Sequence, residues 1–430
     1  MHYFSTNRKS PHVSFREAVL NGQPNDKGLY FPSEVPRLAD DFVANLPSVS
    51  NEQIAFDVIR PFVAGEIPDE TLFEICSETV SFEFPLVPIN DNISTLELFH
   101  GPTLAFKDVG ARFMSRCLRH FSEDNREKTI VIVATSGDTG GAVAAGFHGV
   151  EGIEVVILYP KGKVSNVQEL QLTTLGGNVT TLELHGTFDD CQALAKQALG
   201  DADLRGTAHF TSANSINVAR WLPQQFYYFY ALKQWQGEPP VISVPSGNFG
   251  NLASGILAHV SGLPVTKFIA ACNANDVVTR FLRTAEYEPR PSVATLSNAM
   301  DVGAPSNFVR ILEIFDNKFV DLKSRVESVS ISDETTAATM REAYDKHGYI
   351  LDPHGAVGYR ALADHLERNP GRRGIFLETA HPVKFDSVNE IIGETGNTPL
   401  AVQALFSREK HSIEIGNDYD AVREVLLSKI

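Results

Sequence analysis

Lys107 is the residue whose surroundings best suit chemistry. Leu104, Ala105 and Phe106 precede it, Val109, Gly110 and Ala111 follow, and helix-forming residues run through 111–120. The N-terminal end of a helix favours anions, so a lysine there gains nothing from the dipole. Apolar neighbours also disfavour the ammonium form, which leaves the amine more available for a Schiff base.

Two glycine-rich turns accompany it. Thr135-Ser136-Gly137-Asp138-Thr139-Gly140-Gly141 follows the run TIVIVA, and Pro245-Ser246-Gly247-Asn248-Phe249-Gly250-Asn251 lies between VISVP and LASGILAHV. Glycines at a strand-to-helix turn let the backbone approach an anion, which the exposed N–H groups and the helix N-terminus then hold. Neither turn has the spacing G-x-x-x-x-G-K-[ST] or G-x-G-x-x-G, so a P-loop is excluded and a nucleotide dehydrogenase is a weak reading. A third candidate is NSINVAR at 214–220. Asn214 suits an N-cap, the amides behind it suit a phosphate, and the Arg220 fork suits the same anion bidentately.

The elements that must position these residues alternate along the chain. Apolar, β-branched runs predict buried strands at 129–134, 154–159, 178–184, 209–213, 241–245, 267–273 and 374–378. Helical patterns fall at 139–149, 168–175, 189–199, 252–261, 334–345 and 359–367, and a long helix at 216–235 contains Pro223 as a candidate kink. Strands separated by helices predict an α/β fold with parallel sheets covered on both faces. Before Lys107, a short strand and a helix are expected within 4–22, a turn in DKGLYFP (26–32), and helices at 51–63 and 69–77.

The chain has 430 residues, 43% hydrophobic and 21% charged, with a formal net charge of −16. That length supports two or three lobes, and the acidic balance argues against nucleic acid or an anionic membrane as partner. An anionic substrate then needs a local cationic site. Four scattered cysteines without CxxC read as buried free thiols in a reducing compartment rather than as a metal or disulfide frame. No secretory h-region follows Met1 and no apolar run approaches the ~20 residues of a membrane span, so a cytoplasmic protein is expected.

The stretch HGPTLAFKDVGA, with Glu97 before it, resembles the cofactor-attachment pattern of the pyridoxal-phosphate enzymes of the tryptophan-synthase-β fold type, and HGPTLAFKD is closer still to threonine synthases. STNR and DKGLYFP resemble the N-terminal segment of the threonine synthases, which the related dehydratases lack, and the likeness runs to about Phe385. It implies two α/β lobes with pyridoxal 5'-phosphate in the cleft between them. The larger, cofactor-binding lobe would take 96–102 and 212–395, the smaller lobe 103–211, the family-specific segment 1–95, and a tail 396–430.

The resemblance also implies roles. Lys107 carries the cofactor. Gly247, Asn248, Phe249, Gly250 and Asn251 cradle its phosphate, and Thr379 meets its ring nitrogen. Ser136, Gly137 and Thr139 bind the substrate carboxylate. Asp138 stands at the phenolic oxygen, where many relatives have Asn, and an acid there repels a phenolate unless a proton is shared. Asn214, Ser215 and Arg220 match a substrate-phosphate site. The implied reaction converts O-phospho-L-homoserine and water to L-threonine and phosphate, in a monomer or homodimer and without a metal. The alternatives are a serine or threonine dehydratase and, in another class, a non-enzymatic binder of a small phosphorylated ligand.

Overall fold

The computed structural model describes residues 1–122, 128–394 and 396–430. Thr395, the expected end of the larger lobe, lies outside them. Thirteen strands occur among the described residues: β1 (Tyr3–Ser5), β2 (Tyr30–Pro32), β3 (Leu86–Pro88), β4 (Ile93–Glu97), β5 (Thr129–Ala134), β6 (Ile153–Pro160), β7 (Val179–Leu184), β8 (His209–Ser212), β9 (Val241–Pro245), β10 (Lys267–Cys272), β11 (Val326–Ser330), β12 (Gly374–Glu378) and β13 (Ile413–Ile415).

A six-stranded sheet has the order β11-β10-β9-β12-β4-β3, and a five-stranded sheet the order β13-β7-β6-β5-β8. All pairs in both are parallel except β3 with β4. The central strands are apolar on both faces because helices cover both. Every residue of β5 and of β9 is buried, as expected of parallel sheets. The second sheet is built from chain lying between β4 and β9, and β13, from a tail in which the sequence shows no pattern, closes its edge against β7. The four cysteines are free and buried. No helix among the described residues is long and apolar enough to cross a membrane.

Three expectations change. The last residues of the expected turn DKGLYFP form β2, paired antiparallel with β1. The long helix after the third anion candidate is broken into Val218–Trp221, a 3-10 turn Leu222–Gln225 containing Pro223, and Phe226–Gln234. Proline lacks the N–H that an α-helical interior needs and crowds the preceding turn. Asn214 is not the N-cap. The helix begins at Val218, and Asn217 caps it by accepting from the Ala219 N–H at 3.0 Å.

The N-terminal segment packs behind this turn. Asn217 Nδ2 donates to the Val19 carbonyl at 2.9 Å, and the Phe31 and Trp221 rings lie 5.7 Å apart.

Candidate active site

Lys107 is the first residue of the helix Lys107–Ser122. The loop before it is pinned to the end of β12. Phe106 N–H donates to the Thr379 carbonyl at 2.9 Å and His381 N–H to the Leu104 carbonyl at 3.0 Å. Asp108 holds the same loop from inside, accepting from the Thr103 amide at 2.9 Å and the Thr103 hydroxyl at 2.5 Å. Leu104 sits at φ +57°, a left-handed conformation that this bonding sustains. Lys107 and Thr379 are thereby brought together from distant parts of the sequence.

Lys107 Nζ lies 3.5 Å from Asp138 Oδ2, at the first residue of the helix Asp138–Phe147. The other Asp138 oxygen accepts from Lys384 Nζ at 2.8 Å and Gln168 Nε2 at 2.9 Å. Burial alone would raise the Asp138 pKa, but Lys384 and Lys107, with the bonds from Lys384 and Gln168, hold it well below the usual carboxylate range. Asp138 is therefore ionised. Burial pushes the Lys107 amine down, and Lys384 and Arg220 add to that against the pull of Asp138.

The glycine turns present unsatisfied amides. The N–H groups of Ser136, Asp138 and Thr139 donate to no acceptor among the described residues, whereas that of Gly137 is committed to Thr135 Oγ1 at 2.9 Å. Gly137 has φ +134°, and a Cβ there would lie 2.4 Å from Gln168 Cδ, so only glycine fits. In the second turn the amides of residues 247–251 likewise have no acceptor among the described residues, and the helix Gly250–Val260 starts without a side-chain cap. A Cβ on Gly247 would lie 2.5 Å from Met300 Cα, so the backbone there is packed closely from behind. Asn248 Nδ2 donates to Ser215 Oγ at 2.9 Å, and its Oδ1 accepts from the Ser306 amide at 2.7 Å. Asn251 Oδ1 accepts from Tyr228 at 2.9 Å, while its buried Nδ2 has no partner among the described residues. Phe249 takes φ +62° to turn the chain into the helix.

The third candidate is folded onto the other two. Asn214 Nδ2 donates to the Ala134 carbonyl at 2.9 Å, clamping the end of β5. Ser215 Oγ accepts from Asn248 and, at 3.0 Å, from Asn307, which leaves its proton free to donate. Arg220 is 2% exposed. It donates through Nη1 to the Ala213 carbonyl, its Nε is buried without a partner among the described residues, and burial pushes its pKa down to about 10. The Thr379 hydroxyl has no partner among the described residues.

The sequence reading missed Lys384, Gln168 and Arg310. Lys384 carried the signal used for Lys107, a lysine in an apolar stretch beside a strand end. Gln168 closes a capping box with Ser165, which fixes its helix start but not its contact with Asp138. Arg310 had no local signal.

His381 has a structural role. Its Nδ1 accepts from the Val383 N–H at 3.1 Å and so caps the 3-10 turn Pro382–Lys384 that carries Lys384. Burial, with His100 nearby, pushes its pKa down to about 4. A depressed histidine contributes stability that is full above its unfolded value of about 6.5 and is lost as pH falls through the folded value. Melting temperatures measured from pH 7 to pH 4 should therefore fall further for the wild type than for His381→Asn, whose amide oxygen still accepts but cannot be protonated there. Equal slopes would show that His381 does not carry this pH dependence.

Comparison with known proteins agrees with the geometry. Residues 93–377 match the family described as "Pyridoxal-phosphate dependent enzyme". The fold and the partly buried lysine between amide-lined turns thus define an enzyme of that class, with pyridoxal phosphate as cofactor. Residues 2–80 match "Threonine synthase N terminus" and residues 355–426 "Threonine synthase, C-terminal". Threonine synthase of Escherichia coli K12 is 44% identical, covering 97% of each chain, and that of Haemophilus influenzae is 43% identical over 99% of this chain and 100% of its own. The crystal structure of the Escherichia coli enzyme superposes with a TM-score of 0.94 at 43% identity over 100% of both chains. That of pyridoxal-phosphate-bound threonine synthase from Brucella melitensis does so at 0.92 and 33% identity, over 100% of this chain and 99% of its own. The chain belongs to the threonine synthase family. A threonine deaminase from Solanum lycopersicum, at 17% identity and a TM-score of 0.57 over 77% of this chain and 95% of its own, shows the fold alone.

The residues present fit the cofactor. The acceptorless amides of 247–251 and the orphaned Asn251 Nδ2 suit its phosphate, Lys107 its aldehyde, and the unpartnered Thr379 hydroxyl its ring nitrogen.

Proposed function

We propose that this chain converts O-phospho-L-homoserine and water to L-threonine and phosphate, with Lys107 as the working amine. The observation that carries this reading is the Lys107 amine, partly buried and set 3.5 Å from an ionised Asp138, beside two turns whose amides have no acceptor among the described residues. When bound, pyridoxal phosphate supplies carbanion stabilisation at the substrate.

The rest belongs to the chain. The residue 247–251 turn, with the Asn248 and Asn251 side chains fixed behind it, holds the cofactor phosphate. Ser136, Gly137 and Thr139 would hold the substrate carboxylate at the start of the Asp138 helix, and Asp138, beside Lys107 Nζ, would lie near the cofactor. Arg220 and the free proton of Ser215 hold the substrate phosphate, and Asn214 ties that turn to the end of β5. Lys107 Nζ takes a proton from the α-carbon and one from the β-carbon and returns them to the α- and γ-carbons, while the C–O bond to phosphate breaks and water adds its oxygen at the β-carbon and gives its proton to the departing phosphate.

Supplied with O-phospho-L-homoserine, the enzyme should release threonine and phosphate in equal amounts, and L-threonine alone should be left nearly unchanged. Conversion of L-threonine to 2-oxobutyrate as the main activity would replace this reading with a dehydratase.

A further inference from the structure

We propose that Lys384 is a positioning residue for Lys107: its ammonium neutralises Asp138, so that the Lys107 amine faces an ion pair rather than a bare carboxylate. Lys384 is 0% exposed, and its Nζ is 2.8 Å from Asp138 Oδ1 and 2.8 Å from the Thr103 carbonyl. The opposite Asp138 oxygen faces Lys107 Nζ at 3.5 Å. The carboxylate thus stands between two amines.

A buried carboxylate this close to an amine holds it as ammonium, and ammonium is neither a nucleophile nor a base. An asparagine would avoid the problem by carrying no charge. Here aspartate is used instead, and a buried cation on its far side removes its net field. Lys384 is fixed for the task. The turn that carries it is capped by His381, and its neighbour Val383 packs against the cluster Leu104, Val167 and Val402. Three other charged or titratable groups face the trio. Arg220 adds to the effect of Lys384 at Lys107, Asp108 on the Lys107 helix is raised by burial against the pull of Lys384 and its bonds from Thr103, and His381 is neutral near pH 7. With Lys384 in place the Lys107 pKa lies below its ordinary value.

The inference rests on Lys107 being the amine that bears the cofactor, and the test separates the two. The full-length chain, freed of cofactor, is mixed with pyridoxal phosphate across a range of pH. Imine formation, with loss of water, is followed by visible absorbance, and the adduct is reduced with borohydride and mapped. Lys384→Met should move the midpoint of attachment up by about one pH unit or more, and Asp138→Asn should move it down. The double variant should return near wild type, and Lys384→Arg should stay there. Should Lys384→Met fail to fold, because it leaves a buried carboxylate unpaired, the double variant compared with Asp138→Asn reads the same charge, and the midpoint should rise between them. A midpoint indifferent to the Lys384 charge, or two single variants that shift it in one direction, overturns the proposal. An adduct mapped away from Lys107 overturns the assignment of the amine instead.

Discussion

Lys107→Ala should lower threonine formation at least ~10³-fold, the scale of losing a positioned proton carrier and the covalent attachment together. The residue has two duties that no neighbour can take over. Lys384, the other amine nearby, is fully buried and bonded to Asp138 and to the Thr103 carbonyl, so it is not available as a substitute. The loss should be chemical and not a failure to fold. Lys107 opens its helix without capping it, alanine is a good helix former, and the loop is held by backbone bonds from Phe106 and His381 that do not involve the side chain. The melting temperature should therefore change by only a few degrees, on the scale of a sub-kcal/mol change. Lys107→Arg should be as inactive as the alanine variant, because a guanidinium stays charged and forms no imine. Turnover and borohydride-fixed absorbance, measured side by side, check this. Near-normal turnover in the alanine variant would sink the assignment of Lys107 and every role built on it.

What the sequence disclosed and what it hid divide along a physical line. TIVIVA and VISVP gave strand bounds equal to those observed, because a strand buried on both faces must be apolar throughout and glycine turns stop it sharply. The acceptorless amides of both glycine turns follow from the same local pattern. Asn214 and Asn217 are equally good caps in NSINVAR, and only a contact with Ala134 across the fold commits Asn214 elsewhere. The resemblance marked Asp138 as unusual, an acid where many relatives are expected to carry an amide. Its remedy, Lys384, lies far along the chain and meets it only in three dimensions. IEI at β13 is too short and too mixed to announce a strand until β7 offers an edge. Arg310 is the clearest case. In Phe308–Ile314 it reads as the polar residue of an ordinary helix, yet it is 0% exposed, because the N-terminal segment covers it.

Arg310→Met should destabilise the protein by about 3–5 kcal/mol and raise the KM for the phosphorylated substrate. Its guanidinium donates to the Ser215 carbonyl at 2.8 Å, Asn307 Oδ1 at 2.6 Å, the Ile216 carbonyl at 2.7 Å and the Tyr30 carbonyl at 3.2 Å. It also lies 4.3 Å from the centre of the Trp221 ring. Methionine fills the space of the stem and supplies no donor, so the two buried acceptors, Asn307 Oδ1 and the Tyr30 carbonyl, lose their partner at about 1–3 kcal/mol each before relaxation, and the part-buried Ser215 and Ile216 carbonyls lose theirs at a smaller cost. The binding effect has a separate cause. Carbonyl and N–H point opposite ways across a trans peptide, so turning the Ser215 carbonyl inward to Arg310 turns the Ile216 N–H outward. Without the guanidinium the Ser215 carbonyl loses the bond that aims it, and the turn assigned to the substrate phosphate, then held only through the Ser215 hydroxyl and Asn214, loses part of its order. The Tyr30 bond makes the same residue a second tie, beside Asn217 and the Val19 carbonyl, between the N-terminal segment and this turn, so the expected rise in KM would extend that segment's influence to substrate binding. A lysine at this position keeps the charge but cannot span four acceptors with one ammonium, so Arg310→Lys should fall between wild type and the methionine variant. Urea unfolding of the three proteins, with KM measured on each, decides the matter. A methionine variant as stable as wild type would show that these carbonyls do not depend on Arg310, and a normal KM in a destabilised variant would separate the N-terminal segment from the site.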